Sequence, residues 1–200
     1  MSSNPTMRSI LVISCFFCLC FSLTTLIYFC HLYEYSWTPP IYAIHRLSVD
    51  ELNLSSPTLW PKFELQIAVK NQNKLFSFSY GTGSKRGSTT VRYSSVSLAY
   101  GFHTPFYQEP DNVAVVQTEL LRQILLLSDS ARKSLMSDEK HGAIALQVGM
   151  ASTLGVTRHG GGSGGEFQMV SVGVRCEVVV DRLKPDSKIV SQSCKVSIHE

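Results

Sequence analysis

The sequence predicts a mainly β domain, a β-sandwich with one short helix, behind a single N-terminal transmembrane helix. Three observations predict it: an uncharged run near the N-terminus, alternation of apolar and polar residues over most of the rest, and turn residues that interrupt the alternation. The uncharged run is ILVISCFFCLCFSLTTLIYFC, the 21 residues Ile10–Cys30. As a helix it would be about 30 Å long, the thickness of a bilayer core. Ser14, Ser22, Thr24 and Thr25 fit such a helix because their hydroxyls can bond carbonyls of the preceding turn. The competing reading is a cleaved signal peptide, which needs a shorter apolar core ending in small residues. This run ends instead in Tyr28-Phe29-Cys30-His31.

Charge sets the expected orientation. Arg8 and the amino terminus precede the run, and the next lysine or arginine after it is Arg46. This bias places the N-terminus in the cytosol and the C-terminal domain outside. Tyr28, Tyr33, Tyr35 and Trp37 suit an interfacial aromatic belt. The expected organisation is a cytosolic tail over 1–9, the membrane helix over 10–30, a stiff stalk with Pro39-Pro40 over 31–43, and the β domain over 44–200.

Within that domain Phe63, Leu65, Ile67 and Val69 share one face of a strand, with Glu64, Gln66 and Lys70 on the other. After Asn71-Gln72-Asn73 the alternation resumes at Phe76, Phe78 and Tyr80. Short strands follow at 89–93 and 96–100, and Thr104-Pro105 breaks the next run. Val113, Val115 and Val116 favour a strand, whereas Leu120, Leu121, Ile124 and Leu125 have helical spacing. Residues 128–139 read as a helix with Ser128 or Asp129 as N-cap. Ile144, Leu146 and Val148 alternate. So do Val170 through Val180 and then Val190, Cys194, Val196 and Ile198, with Gln192 as a polar exception. Many short strands separated by turns are the pattern of a sandwich. Asn71 and Asn73 read as a corner, because asparagine tolerates left-handed backbone and closes Asx-turns.

Composition excludes several classes. Charged residues are 16%, mean hydropathy is slightly positive and net charge is only +3. There is no basic run or basic helix face, so nucleic acid is not an expected partner. The six histidines are scattered, without metal-ligand spacing, and no metal or cofactor is expected. Gly161-Gly162-Ser163-Gly164-Gly165 matches G-x-S-x-G in letters. A nucleophile elbow requires a helix after the turn, and here a strand follows. The 81–87 loop, with Lys85 and Arg86, lacks the G-K-[ST] of a phosphate cradle. No enzyme is expected.

Of the six cysteines, Cys15, Cys18, Cys20 and Cys30 lie in the membrane run, as apolar packing residues or acylation sites. Cys176 and Cys194 lie on the apolar faces of two consecutive strands. They are either buried thiols or a disulfide, and export would favour the disulfide. Asn53-Leu54-Ser55 is an N-glycosylation sequon in a polar setting.

Several short pieces then fall in a distinctive order behind the anchor: AVKNQNK at 68–74, Tyr80, VRY ending at Tyr93, Pro105-Phe106-Tyr107-Gln108, VRCEVVVD at 174–181 and CKV at 194–196. In this order the chain resembles the plant harpin-induced and non-race-specific-disease-resistance-like family. That family carries the late embryogenesis abundant group 2 domain, also called the water-stress and hypersensitive-response domain. The resemblance implies a fibronectin-III-like or immunoglobulin-like sandwich, held at the plasma membrane and facing the apoplast. It implies a part in defence and abiotic stress through binding or scaffolding of a protein or cell-wall partner. A membrane tether or lipid-binding module is the alternative. Three departures stand out: Gln72 replaces the family's proline, the glycine run at 160–165 is long, and the basic cytosolic tail is nearly absent. The polar end, KVSIHE, does not suit a C-terminal lipid anchor.

Overall fold

The computed structural model describes residues 5–50, 52, 54, 56, 59–81, 86–121, 124–158 and 167–199, with side chains left aside at 5–13, 30–35, 119 and 167. The chain divides into two units, residues 1–38 and 39–200. The first contains helix α1 (Pro5–Tyr35), which encloses the uncharged run. Inside it Ser22 Oγ donates to the Leu19 carbonyl at 2.9 Å, Thr24 Oγ1 to Cys20 at 3.0 Å and Thr25 Oγ1 to Phe21 at 2.9 Å. The Ser22, Thr24 and Thr25 hydroxyls are thus satisfied within the helix, as expected. Phe16, Phe17, Leu19 and Phe21 are exposed, and Cys15, Cys18 and Cys20 are free and exposed. Among the described residues no helix is long and apolar enough to cross a membrane.

The second unit is mainly β. It contains β1 (Ile41–Asp50), β2 (Lys62–Lys70), β3 (Phe76–Tyr80), β4 (Gly87–Tyr93), β5 (Val96–His103), β6 (Phe106–Gln108), β7 (Val113–Leu121), α2 (Asp129–His141), β8 (Ile144–Arg158), β9 (Phe167–Val180) and β10 (Ile189–His199). The expected stalk over 31–43 is corrected to residues 36–40. No Pro or Gly stops α1 before Pro39-Pro40, and β1 starts at Ile41 because Tyr42 and Ile44 are buried against β2. The ambiguous segment after Asp111 is a strand to Leu121. Leu125 only bridges to Leu59, and the helix begins after Ser128. Ser128 is the N-cap, accepting from the Ala131 amide, and Gly142 closes the helix at φ 68°. Left-handed backbone there is the reason for glycine.

All strand pairings are antiparallel and join the strands in one sheet. The path runs β1-β2-β7-β5-β4-β8, and β8 pairs on its other edge with β9, which pairs with β10. β8 is long enough to pair with β4 over 147–151 and with β3 over 154–158. β6 extends from β3.

β10 returns beside β1, so the sheet nearly closes. The Gln192 side chain makes much of this seam. Its Oε1 accepts from the Ile44 amide at 2.7 Å, and its Nε2 donates to the Ile44 carbonyl at 3.2 Å. One glutamine amide therefore occupies the place of a strand residue on the free edge of β1. Val49 N donates to Lys184 O at 3.3 Å, and the Ser187 hydroxyl bonds the Leu47 carbonyl. The core consists of alternating inward residues of every wall: Leu65, Ile67, Val91, Leu98, Val148, Leu154, Val174 and Val178 are all buried.

Candidate functional site

Four of the resemblance-motif residues, Asn71, Asn73, Tyr80 and Gln108, meet in a buried polar network. Asn71 is fully buried, at 0% exposure. Its Nδ2 donates to the carbonyls of Phe76 at 2.7 Å and Glu109 at 3.0 Å. Its Oδ1 accepts from Asn73 N at 3.0 Å and Asn73 Nδ2 at 2.8 Å. The first of these acceptances is the expected Asx-turn. Left-handed backbone, however, occurs at Asp111 (φ 49°) in the facing turn and at Ser94, not at the asparagines. Asp111 N donates to Asn73 O, and Asn71 N to Asn112 O, both at 2.9 Å. The two turns are laced together, so Asn71 and Asn73 do more than round a corner.

Gln108 extends the network. Its Nε2 donates to Val69 O at 2.8 Å and Asn112 O at 2.9 Å, and its Oε1 accepts from the Tyr80 hydroxyl at 3.2 Å. The Tyr80 ring stacks on Phe106 at 4.1 Å. Burial drives the Tyr80 pKa upward and that of its neighbour Tyr42 up to about 12, so both phenols stay neutral. Tyr107 points out, Pro105 is exposed, and Gln72 donates to the Pro39 carbonyl at 3.4 Å. Tyr93 stands apart and ties β4 to α2. Its hydroxyl donates to Asp138 Oδ2 at 2.7 Å, and burial together with that carboxylate raises its pKa to about 12. The amide N–H groups of Asn71 and Gln108 are all taken by backbone carbonyls and leave no donor for a ligand.

Cys176 and Cys194 are bonded to each other and lie directly opposite across β9 and β10, their Cα atoms 4.0 Å apart. Asn53, Lys85 and Ser163 lie outside the described residues, as does the Cys30 side chain. The glycine run that holds Ser163 joins two strands, β8 and β9, with no helix after it.

An inner histidine escaped the sequence reading. His103 is 1% exposed, and neither ring nitrogen has a hydrogen-bond partner among the described residues. Thr118, directly opposite on β7, likewise holds its hydroxyl unpartnered there. The ring fits only because residue 87 is glycine; a Cβ there would come within 1.8 Å of it. Burial lowers the His103 pKa and keeps the ring neutral.

The open surface with binding character is the outer face of β4, β8, β9 and β10. The register aligns Thr90, Gly149, Arg175 and Lys195 in one row across the four strands. Arg92, Gln147, Glu177 and Ser193 form the next row on the same face. Thr90, Arg92, Gln147, Gly149, Gly173, Arg175, Lys195 and Ser197 line a hollow of about 500 Å³. A second hollow, of about 660 Å³, continues past Gly173 between Arg86, Phe102, Ser152, Thr153, Ser171 and His199. Arg175 and Lys195 are exposed and have no ion-pair partner among the described residues. The neighbouring carboxylate, Glu177, accepts from Gln147 at 2.8 Å. The β9–β10 disulfide, on the inner face one residue away, fixes the register that sets the two cations side by side. Among the described residues no cluster of His, Cys, Asp and Glu could hold a metal ion.

The fold and this face describe a β domain with buried amides bonded at one end and an open cationic trough on the outer face of β4, β8, β9 and β10. Compared with known proteins, the chain is similar to NDR1/HIN1-like protein 6 of Arabidopsis thaliana. The two are 30% identical over 161 residues, which is 78% of this chain and 60% of the relative. The chain thus spans less than two thirds of the length of the curated relative it matches. No family model matches the chain.

Proposed function

We propose that the protein is an NDR1/HIN1-like protein of plant defence and stress response, acting through a non-catalytic binding domain held at the plasma membrane. The observation that carries this reading is the match to NDR1/HIN1-like protein 6 over 161 residues. The ordered motifs from Asn71 to Cys194 lead to the same family by a separate route. The anchor is α1, supported by the uncharged run Ile10–Cys30 lying within that helix. The domain faces the apoplast, a placement that suits the Cys176–Cys194 disulfide. We assign the fold to the late embryogenesis abundant group 2 sandwich type. Its walls β1-β2-β7-β5 and β4-β8-β9-β10 would be two sheets that have merged at their edges. Binding falls to the outer trough, because the buried amides of Asn71 and Gln108 have no free donor to offer.

Topology is the test. The full chain, tagged at each end and expressed in intact plant cells, is exposed to external protease. The C-terminal tag should be lost and the N-terminal tag retained. Retention of the C-terminal tag with loss of the N-terminal one overturns the orientation, and release of the untreated chain by an alkaline carbonate wash overturns the anchor. Glycosidase should also shift the mass of the wild type but not of Asn53→Gln.

A further inference from the structure

We infer that the trough across β4, β8, β9 and β10 binds an acidic oligosaccharide, a chain of sugar rings carrying carboxylates. This deepens the proposed binding role and rests on that reading.

The charges point to an anion. Arg175 and Lys195 are directly opposite on neighbouring strands. Like charges in that position repel and destabilise a sheet, with Cβ atoms roughly 5 Å apart. No carboxylate pairs with either among the described residues. Arg92 stands across the trough on β4, two strands from Arg175 and offset by one row, so roughly 12 Å away. Arg86 lines the further hollow. Cations are therefore spread along two adjoining hollows, whereas a single phosphate would need only one cluster.

The rest of the surface points to sugar. Thr90, Ser197 and Ser171 lie along the two hollows. Phe102 borders the second hollow, and Tyr100 stands edge-to-face against it at 5.1 Å. Aromatic faces beside hydroxyls and cations suit a ring with apolar C–H faces, equatorial hydroxyls and a carboxylate. Glycine makes the floor. A Cβ at Gly149 would come 2.8 Å from Thr90 Oγ1, and one at Gly173 equally close to Ser197 Oγ. An extended peptide is a poorer occupant, because the trough is a sheet face whose backbone groups are already paired, not an open edge. A membrane surface is a poorer one too, since the described trough lining offers no cluster of exposed large apolar side chains to insert.

The experiment uses the full chain in detergent. Its binding is measured to a decamer of 1,4-linked galacturonate, to the methyl-esterified decamer, to inorganic phosphate and to vesicles containing a phosphoinositide. The acidic decamer should bind, weaken with added salt, and weaken at least tenfold in Arg175→Ser/Lys195→Ser. Both side chains are exposed, and an unchanged melting temperature in the double variant separates lost binding from lost fold. The esterified decamer should bind at least tenfold more weakly than the acid. Equal binding of the two decamers, equal binding by wild type and double variant, or binding of vesicles or phosphate alone overturns the assignment. Any of these would leave the anchored topology standing, because that is read by protease in cells.

Discussion

The Asn71–Gln108 end of the domain and the trough face treat polar groups in opposite ways. At the first, four side chains with polar ends, Asn71, Asn73, Tyr80 and Gln108, are buried and bonded to one another or to backbone. At the second, Arg92, Arg175 and Lys195 are exposed, and the latter two stand together without a counterion among the described residues. The motif letters divide between the two: Asn71, Asn73, Tyr80 and Gln108 lie at the satisfied end, while VRCEVVVD and CKV carry Arg175 and Lys195 to the trough. A buried amide with every bond used is costly to change, whereas an exposed cation costs the fold almost nothing. The motif pieces therefore serve both the fold and the open face, and only the buried ones are fixed by hydrogen bonding.

That contrast can be broken by measurement. Asn71→Ala removes four hydrogen bonds at full burial and should destabilise by about 3 kcal/mol. Urea midpoints would show this, and a loss under about 1 kcal/mol would return the segment to a simple corner. Cys194→Ser opens a loop with a sequence separation of 18 and should cost about 3 kcal/mol or somewhat less. If it costs nothing, the ladder alone holds the Arg175–Lys195 register.

His103 gives an effect of known sign. Its folded pKa lies below the ordinary value of about 6.5. The unfolded chain therefore binds the proton first, and stability present above about pH 6.5 is lost as pH falls toward the folded value. Its immediate partners, the Phe106 ring, Gly87 and Thr118, bring no charge to offset this. Thermal melts at pH 7.5 and 5 should differ less in His103→Gln than in the wild type, and an equal difference would place the acid sensitivity elsewhere. The smallest effect belongs to the trough. Arg175→Ser should leave the midpoint unchanged or raise it by about 0.5 kcal/mol through relief of like charge. A clear loss would mean that Arg175 serves the fold.

Strand content was legible because burial on one face writes period two into the sequence, as in β2, β8 and β9. Helix α2 was legible through its N-cap at Ser128, and it runs two residues past the expected end, to His141. The cysteine pair was legible because both residues fall on inward faces. The remainder depended on contacts between distant positions. Asn71 meets Glu109, and Gln108 meets Val69, across 38 and 39 residues. Turn chemistry alone already accounts for asparagine at 71, so nothing local signals its burial. Gln192 reads as a flaw in an apolar face until β1 lies beside it, 148 residues away in sequence. The trough was hidden for the same reason: Arg92, Arg175 and Lys195 each look like the solvated side of an alternating strand. The pairing that assembles one nearly closed sheet was likewise beyond what alternation encodes.

The seam held by Gln192 also sets how the domain would respond to mechanical load. A pull arriving through Pro40 enters at β1. One flank of β1 is a ladder of nine paired residues to β2. The other is a side-chain clasp at Ile44, a hydroxyl at Leu47 and one backbone bond at Val49. Tension would part the second flank one link at a time while the first still shares its load along its length. A domain on a tether would therefore yield along a chosen line, opening between β1 and β10 while the disulfide keeps β9 and β10 together.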